Sequence, residues 1–139
     1  MTGTVLIGYD IEKSFEPAVT LQFVERVIEA QRELQVPATF FILGRCIEAS
    51  KDALLLLKKE PLFELQQHTY SHIGIKTLWQ VKPDGTSRFE PGAPLDAIED
   101  EIKKTNRLLK DSLGVDCQGI AVPRGFYRGL GDRDRKTHV

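Results

Sequence analysis

Short β-rich runs alternate with stretches of helical period along this chain, and that alternation limits its fold more than any other feature. Thr4–Tyr9 (TVLIGY) reads as a first strand that delivers Asp10 at its C-terminal end. From Ala18 to Gln35 apolar residues recur at Val19, Phe23, Val27, Ile28 and Leu34 with charges between them, a helical period that Pro37 stops. Ala38–Leu43 (ATFFIL) is a second strand ending at Gly44. A second helix is expected from Ser50 as N-cap, with Asp52 in its first turn, Lys58 and Lys59 in its last, and a Leu54–Leu57 run that argues burial on more than one side. Pro61 closes it, and Leu62–Gln66 forms a third strand that presents His68. Residues 73–94 read as a long irregular stretch punctuated by Asp84-Gly85 and Pro91-Gly92. A third helix runs from Leu95 to Leu113. Glu99, Asp100 and Glu101 come early in it, Lys103, Lys104, Arg107 and Lys110 later, and Gly114 is its C-cap. Cys117–Val122 is expected as a fourth strand. This order calls for a mainly parallel sheet with right-handed crossovers and functional residues at the strand C-terminal ends.

Three polar segments fall on that one rim: Asp10 to Glu12, His68 to His72, and Pro123 to Tyr127. In His68-Thr69-Tyr70-Ser71-His72 two imidazoles lie four positions apart and answer to the acidic pair Asp10 and Glu12. Neutral His nitrogens and a carboxylate oxygen are ligands that divalent zinc, iron and cobalt accept, and three protein ligands leave positions open for water or substrate. That is the pattern of a catalytic metal site. Non-haem iron oxygenases use the same donors but sit on β-sandwich barrels, so the alternating pattern argues against them.

Composition supplies the exclusions. The 139 residues suit a single domain, 41% of them hydrophobic, and the 19 basic and 20 acidic residues leave a net charge of -1. No global field points to nucleic acid or to a membrane surface. No apolar run approaches the ~20 residues needed to cross a bilayer, and the start lacks a signal-peptide core, so the expected location is cytoplasmic. Cys46 and Cys117 form neither a zinc knuckle nor a disulfide framework and read as buried reduced thiols.

Four segments, in order, resemble the polysaccharide deacetylase (NodB-homology, carbohydrate esterase 4) superfamily. Ile7-Gly8-Tyr9-Asp10-Ile11-Glu12 is similar to its first motif, with the two acids one residue apart, and Ala38–Gly44 to its second-strand signature. His68–His72 matches the histidine motif at every position, and Val122-Pro123-Arg124-Gly125-Phe126-Tyr127 resembles the third motif. The resemblance implies a partial or deformed (β/α) barrel, with residues 1–139 as one domain lacking the later strands. It also implies a metal-dependent hydrolase of non-peptide carbon-nitrogen bonds acting on an N-acetylated sugar or a related small amide. Carried over residue by residue, Glu12, His68 and His72 would hold one divalent ion. Zinc is the first choice, with cobalt, iron or manganese as alternatives. Asp10 would be the general base, a backbone N–H near Tyr127 would join the oxyanion site, and Thr69 and Ser71 would orient the ligand turn.

Two departures from the family pattern set up the competing expectation. The Arg that usually lies two residues before the Pro of the third motif is replaced by Ala121, with Arg124 and Arg128 as neighbouring substitutes. The family's late acid His has no counterpart beyond His138, next to the terminus. The alternative is therefore a truncated, non-catalytic metal- or carbohydrate-binding remnant. The expected partners are a small-molecule or carbohydrate substrate, with no nucleic acid and no membrane. A homo-oligomer or helper chain would cover the sheet edge that an incomplete barrel exposes.

Overall fold

The structure, a computed structural model, describes residues 3–81 and 84–124. Its centre is a three-stranded parallel sheet in the order β1-β2-β3, formed by β1 (Gly8–Ile11), β2 (Ala38–Ile42) and β3 (Phe63–Gln67). Helix α1 (Pro17–Leu34) connects the first two strands and α2 (Gly44–Lys58) the second two. A β-hairpin of β4 (Leu78–Val81) and β5 (Ser87–Glu90) follows, and then α3 (Leu95–Leu113).

The pleat explains the core. Alternate residues of β2 point to opposite faces; Ala38, Phe40 and Ile42 are buried against the helices, while Thr39 and Phe41 face the other way and are half-buried. Val24 and Val27 of α1, Leu54 and Leu57 of α2, and Leu109 and Leu113 of α3 complete this layer, with α2 packed between α1 and α3. The Tyr9 ring stacks on Phe40 at 5.2 Å between centroids, and its hydroxyl accepts a 2.8 Å hydrogen bond from Gln31 Nε2, which gives the buried amide nitrogen of α1 a partner, while Gln31 Oε1 has none among the described residues.

The helical periods translate directly into α1 and α3. Gln35 and Gly114 close these helices in the left-handed conformation, with φ of 53° and 63°. Four expectations need correction. First, β1 begins at Gly8, not Thr4: its register sets Gly8 opposite Thr39, Ile7 still accepts the Thr39 N–H at 3.0 Å, and Leu6 and the residues before it would face Pro37 and the end of α1, which offer no strand to pair with, so Val5 and Leu6 are exposed. Second, α2 starts at Gly44, because the carbonyls of Thr69 and Tyr70 accept the N–H groups of Gly44 and Arg45 at 3.0 and 3.1 Å. Ser50 marks a kink inside α2 (φ -136°, ψ 31°), and its buried hydroxyl has no partner among the described residues. Third, the stretch read as irregular holds the β4-β5 hairpin.

Fourth, Cys117–Val122 is not a full strand. Only Ile120 bridges to Gln67, in parallel. The Gln66 side-chain oxygen takes up the N–H groups of Gln118 and Gly119 at 2.8 and 2.6 Å, a side-chain substitute for ladder bonds. Of the two thiols, Cys46 is buried, and burial raises its pKa to about 12. Cys117 is half-buried rather than buried, with Sγ donating to Gln66 Oε1 at 3.2 Å.

Candidate metal centre

The register of the parallel sheet assembles the site. Ile11 pairs with Ile42 and Ile42 with Gln67, so the next residues, Glu12, Leu43 and His68, form a row along the C-terminal rim. The backbone continues the ladder one step further, with Leu43 N–H donating to Ile11 O at 3.2 Å and His68 N–H to Ile42 O at 3.0 Å. Residues 56 positions apart in sequence are thereby set side by side.

After His68 the chain turns sharply. Thr69 and His72 both adopt the left-handed region, with φ of 63° and 65°. The geometry is unusual for any non-glycine residue, more so for β-branched Thr, and costs of order 1–3 kcal/mol at each position. The turn brings His72 back toward the strand ends. His68 Nε2 lies 2.9 Å and His72 Nε2 3.0 Å from the same oxygen, Glu12 Oε1, and one ligand atom from each of the three residues lies within 4.8 Å of the others. His68 is 2% exposed, His72 31% and Glu12 43%, so the group is sealed on one side and open on the other.

Proton placement tests whether these donors suit a cation. His68 Nδ1 lies 2.7 Å from the carbonyl of Ala121, which can only accept, so Nδ1 carries hydrogen and Nε2 of the neutral ring presents a lone pair. That lone pair, the Nε2 of His72 and a carboxylate oxygen converge on one point, an arrangement that calls for a proton or a metal cation between them. Tetrahedral zinc with bonds of about 2.0–2.1 Å needs donors roughly 3.3 Å apart, close to the 2.9 and 3.0 Å that separate the two imidazole nitrogens from Glu12 Oε1. The carbonyl behind His68 is the usual outer partner that fixes a ligand imidazole. The residues fit a divalent ion with N2O donors.

Asp10 shares this rim. It lies within β1, not beyond it, with Oδ2 4.0 Å from His68 Nε2 and a half-exposed side chain that reaches solvent. Arg124 pairs with Glu90 on β5, its Nη1 2.5 Å from Oε2, and Arg88 also pairs with Glu90 at 2.8 Å. Tyr127, Arg128 and His138 lie outside the described residues. Of the turn hydroxyls, Ser71 Oγ donates to Glu101 at 2.7 Å, whereas buried Thr69 Oγ1 has no partner among the described residues, and Thr69 contributes its carbonyl to the start of α2.

The sequence reading missed Glu101. On sequence it is one of three consecutive acids at the start of α3, yet its carboxylate reaches the histidine turn, and only the packing of α3 beside that turn reveals this. Tyr70 packs on α2 and α3. Its hydroxyl donates to Glu48 at 2.9 Å, and Lys104 Nζ sits 3.3 Å from its ring centroid, a cation-π contact that holds the turn against α2 and α3.

Residues 3–133 match the sequence profile described as polysaccharide deacetylase. The chain belongs to the polysaccharide deacetylase family. In Bacillus subtilis (strain 168) the uncharacterized protein YlxY is 25% identical to it over 107 residues, which is 77% of this chain and 28% of YlxY. A carbohydrate esterase family 4 pseudoenzyme from Bacillus anthracis superposes with a TM-score of 0.66 at 22% identity, covering 96% of this chain and 38% of its own. The peptidoglycan deacetylase PdaC from Bacillus subtilis gives 0.61 at 19% identity, covering 96% and 55%. These likenesses establish the NodB-type fold. The chain spans about a quarter to just over half the length of these relatives.

Proposed function

We propose that this chain carries the metal-binding half of a deacetylase site and that its chemistry is hydrolysis of a non-peptide carbon-nitrogen bond, the removal of an acetyl group from an N-acetylated sugar or related small amide. The observation that supports this most is the convergence of Glu12, His68 and His72 on one point of the sheet rim, with Asp10 beside them. Glu12, His68 and His72 would hold a divalent cation there, zinc by the donor set, which would supply Lewis-acid chemistry at the amide carbonyl and make water more acidic.

The chain's own residues do the rest. Glu12, His68 and His72 hold the ion; the Ala121 carbonyl keeps the His68 ring in the tautomer that presents Nε2. Asp10, half exposed and on the open side of the cluster, takes the proton of the attacking water. A substrate approaches from that side, because His68 is sealed behind the rim. The cytoplasmic location expected from sequence favours a small amino-sugar conjugate over an intact wall polymer, and no described helix is long and apolar enough to cross a membrane.

One observation favours a second reading, a non-catalytic binding remnant. Uncharged Ala121 stands where the family pattern has its Arg, and here it serves through its backbone only. The test separates the two readings. Zinc titration of the metal-free protein should give one ion per chain, and His72→Ala should abolish it. Acetate release from N-acetylated chito-oligosaccharides should be present in the zinc-loaded protein and lost in Asp10→Asn, which should keep its zinc. Stoichiometric zinc without acetate release would favour the remnant. Activity retained in Asp10→Asn would remove Asp10 from the base role.

A further inference from the structure

The turn between the two histidines cannot hold itself. Two of its residues sit in the left-handed region without being glycine, and Thr69, one of them, is fully buried with a hydroxyl that has no partner among the described residues. Such a backbone persists only where surrounding contacts over-determine it. Two elements supply those contacts, from opposite sides. The first N–H groups of α2, on Gly44 and Arg45, donate to the carbonyls of Thr69 and Tyr70. From the other side the Glu101 carboxylate of α3 accepts the next two amides, Tyr70 N–H at 2.9 Å and Ser71 N–H at 2.7 Å on Oε2, and the Ser71 hydroxyl at 2.7 Å on Oε1.

We propose that Glu101 is a positioning residue for the metal centre: by anchoring the consecutive amides of Tyr70 and Ser71 it holds the turn in the one conformation that aims His72 at Glu12. Successive backbone N–H groups beside a left-handed residue form a concave anion site, and here the anion is the protein's own carboxylate. Its bonds are charge-assisted, roughly twice as strong as neutral ones. Glu101 lies past the first turn of α3, where the helix dipole has little hold on a carboxylate, so the dipole does not account for an acid at this point. The helix is held close to the turn by further packing. Gly44, with no side chain, leaves room where a Cβ would meet both Tyr70 of the turn and Thr105 of α3. This role rests on the metal-site reading above, because a turn that aims His72 matters only if His72 binds an ion.

The experiment measures zinc affinity by competition with a chromogenic chelator in the metal-free wild type and in Glu101→Ala, Glu101→Gln, Ser71→Ala and Glu99→Ala, alongside melting temperature and amide exchange without metal. Glu101→Ala should lower zinc affinity by about 10–100-fold, the range for losing an outer partner of a metal ligand. Glu101→Gln, which keeps one acceptor oxygen, should fall between, and Ser71→Ala should lose less than Glu101→Ala. Glu99→Ala, which removes an exposed partner of Lys103, should match wild type. Exchange at the Tyr70 and Ser71 amides should quicken in metal-free Glu101→Ala. Wild-type zinc affinity in a folded Glu101→Ala protein would overturn the proposal, even with a lowered melting temperature. If Glu101→Ala does not fold, unchanged affinity in both Glu101→Gln and Ser71→Ala overturns it. A wild-type protein that binds no zinc would instead bring down the metal-site reading and this role with it.

Discussion

The histidine turn and the β4-β5 hairpin are both sharp reversals beside the sheet, yet they are built from opposite resources. The hairpin is written locally. Asp84 Oδ1 accepts from Thr86 N–H at 2.9 Å and from its hydroxyl at 2.6 Å, Gly85 takes a φ of 80° with no described residue near where a Cβ would stand, and residues 87–90 pair directly with 78–81. The turn from His68 to His72 contains no glycine and no short-range side-chain bond of that kind. It borrows its shape from α2 and α3, whose contributing residues, Gly44, Arg45 and Glu101, lie more than 20 positions away in sequence. A reversal that only positions chain can be encoded by its own residues. One that must present two imidazoles has its residue types set by chemistry, and the backbone cost falls on its neighbours.

The most direct way to break this comparison is Gly44→Ala. A Cβ there collides with the Tyr70 ring and sits 3.0 Å from Thr105 Oγ1, so the turn must move. The expected loss is about 1–3 kcal/mol in urea unfolding, with weakened zinc binding. Unchanged stability would mean that α2 and the turn are not in close contact. Gly85→Ala provides the opposite case. No described neighbour opposes the added methyl, so the strained φ alone should cost about 1 kcal/mol, and zinc titration should be indistinguishable from wild type. Loss of zinc in this variant would tie the hairpin to the site.

Two smaller effects probe the frame behind both regions. Arg32 donates to Glu60 and holds its carboxyl below the usual 4.5. A depressed carboxylate stabilises the fold above its unfolded pKa, and the contribution disappears as the pH falls below 4.5 through the folded value. The stability gap between wild type and Glu60→Gln should therefore narrow in acid; a gap independent of pH would show that the pair does not act through charge. Finally, the Cys46 thiol, raised to about 12 by burial, should resist iodoacetamide at pH 8 in the native protein and react on unfolding. Fast native labelling of Cys46 would show that the core between β2 and α2 opens easily.

Much of this was legible in the residues, for identifiable reasons. The amphipathic periods of α1 and α3 are long and end at residues that close helices, Gln35 before Pro37 and Gly114, so their limits came out within a residue. Ser50 misled because a good capping residue also suits a kink, and the true start of α2 depends on carbonyls of a turn 25 positions later. The segment after α3 has strand-forming residues, but the Gln66 side chain competes for its amides, a long-range contact that composition does not reveal. Of the site, the ligand types were legible from the HTYSH string and the acids before it. Arg124 was expected near the reacting group and is found against Glu90.

The sequence by itself determined the alternation of strands and helices, and the residue types of the proposed metal site with Glu12 and His68 just past strand ends, because these follow from local periodicity and side-chain chemistry. Only the tertiary structure decided that Glu12 and His68 stand in one row, that His72 turns back to the same oxygen, and that Glu101 belongs to the turn. Those outcomes depend on register between strands and on helix packing, where a carboxylate far along the chain meets two backbone amides that no local pattern marks.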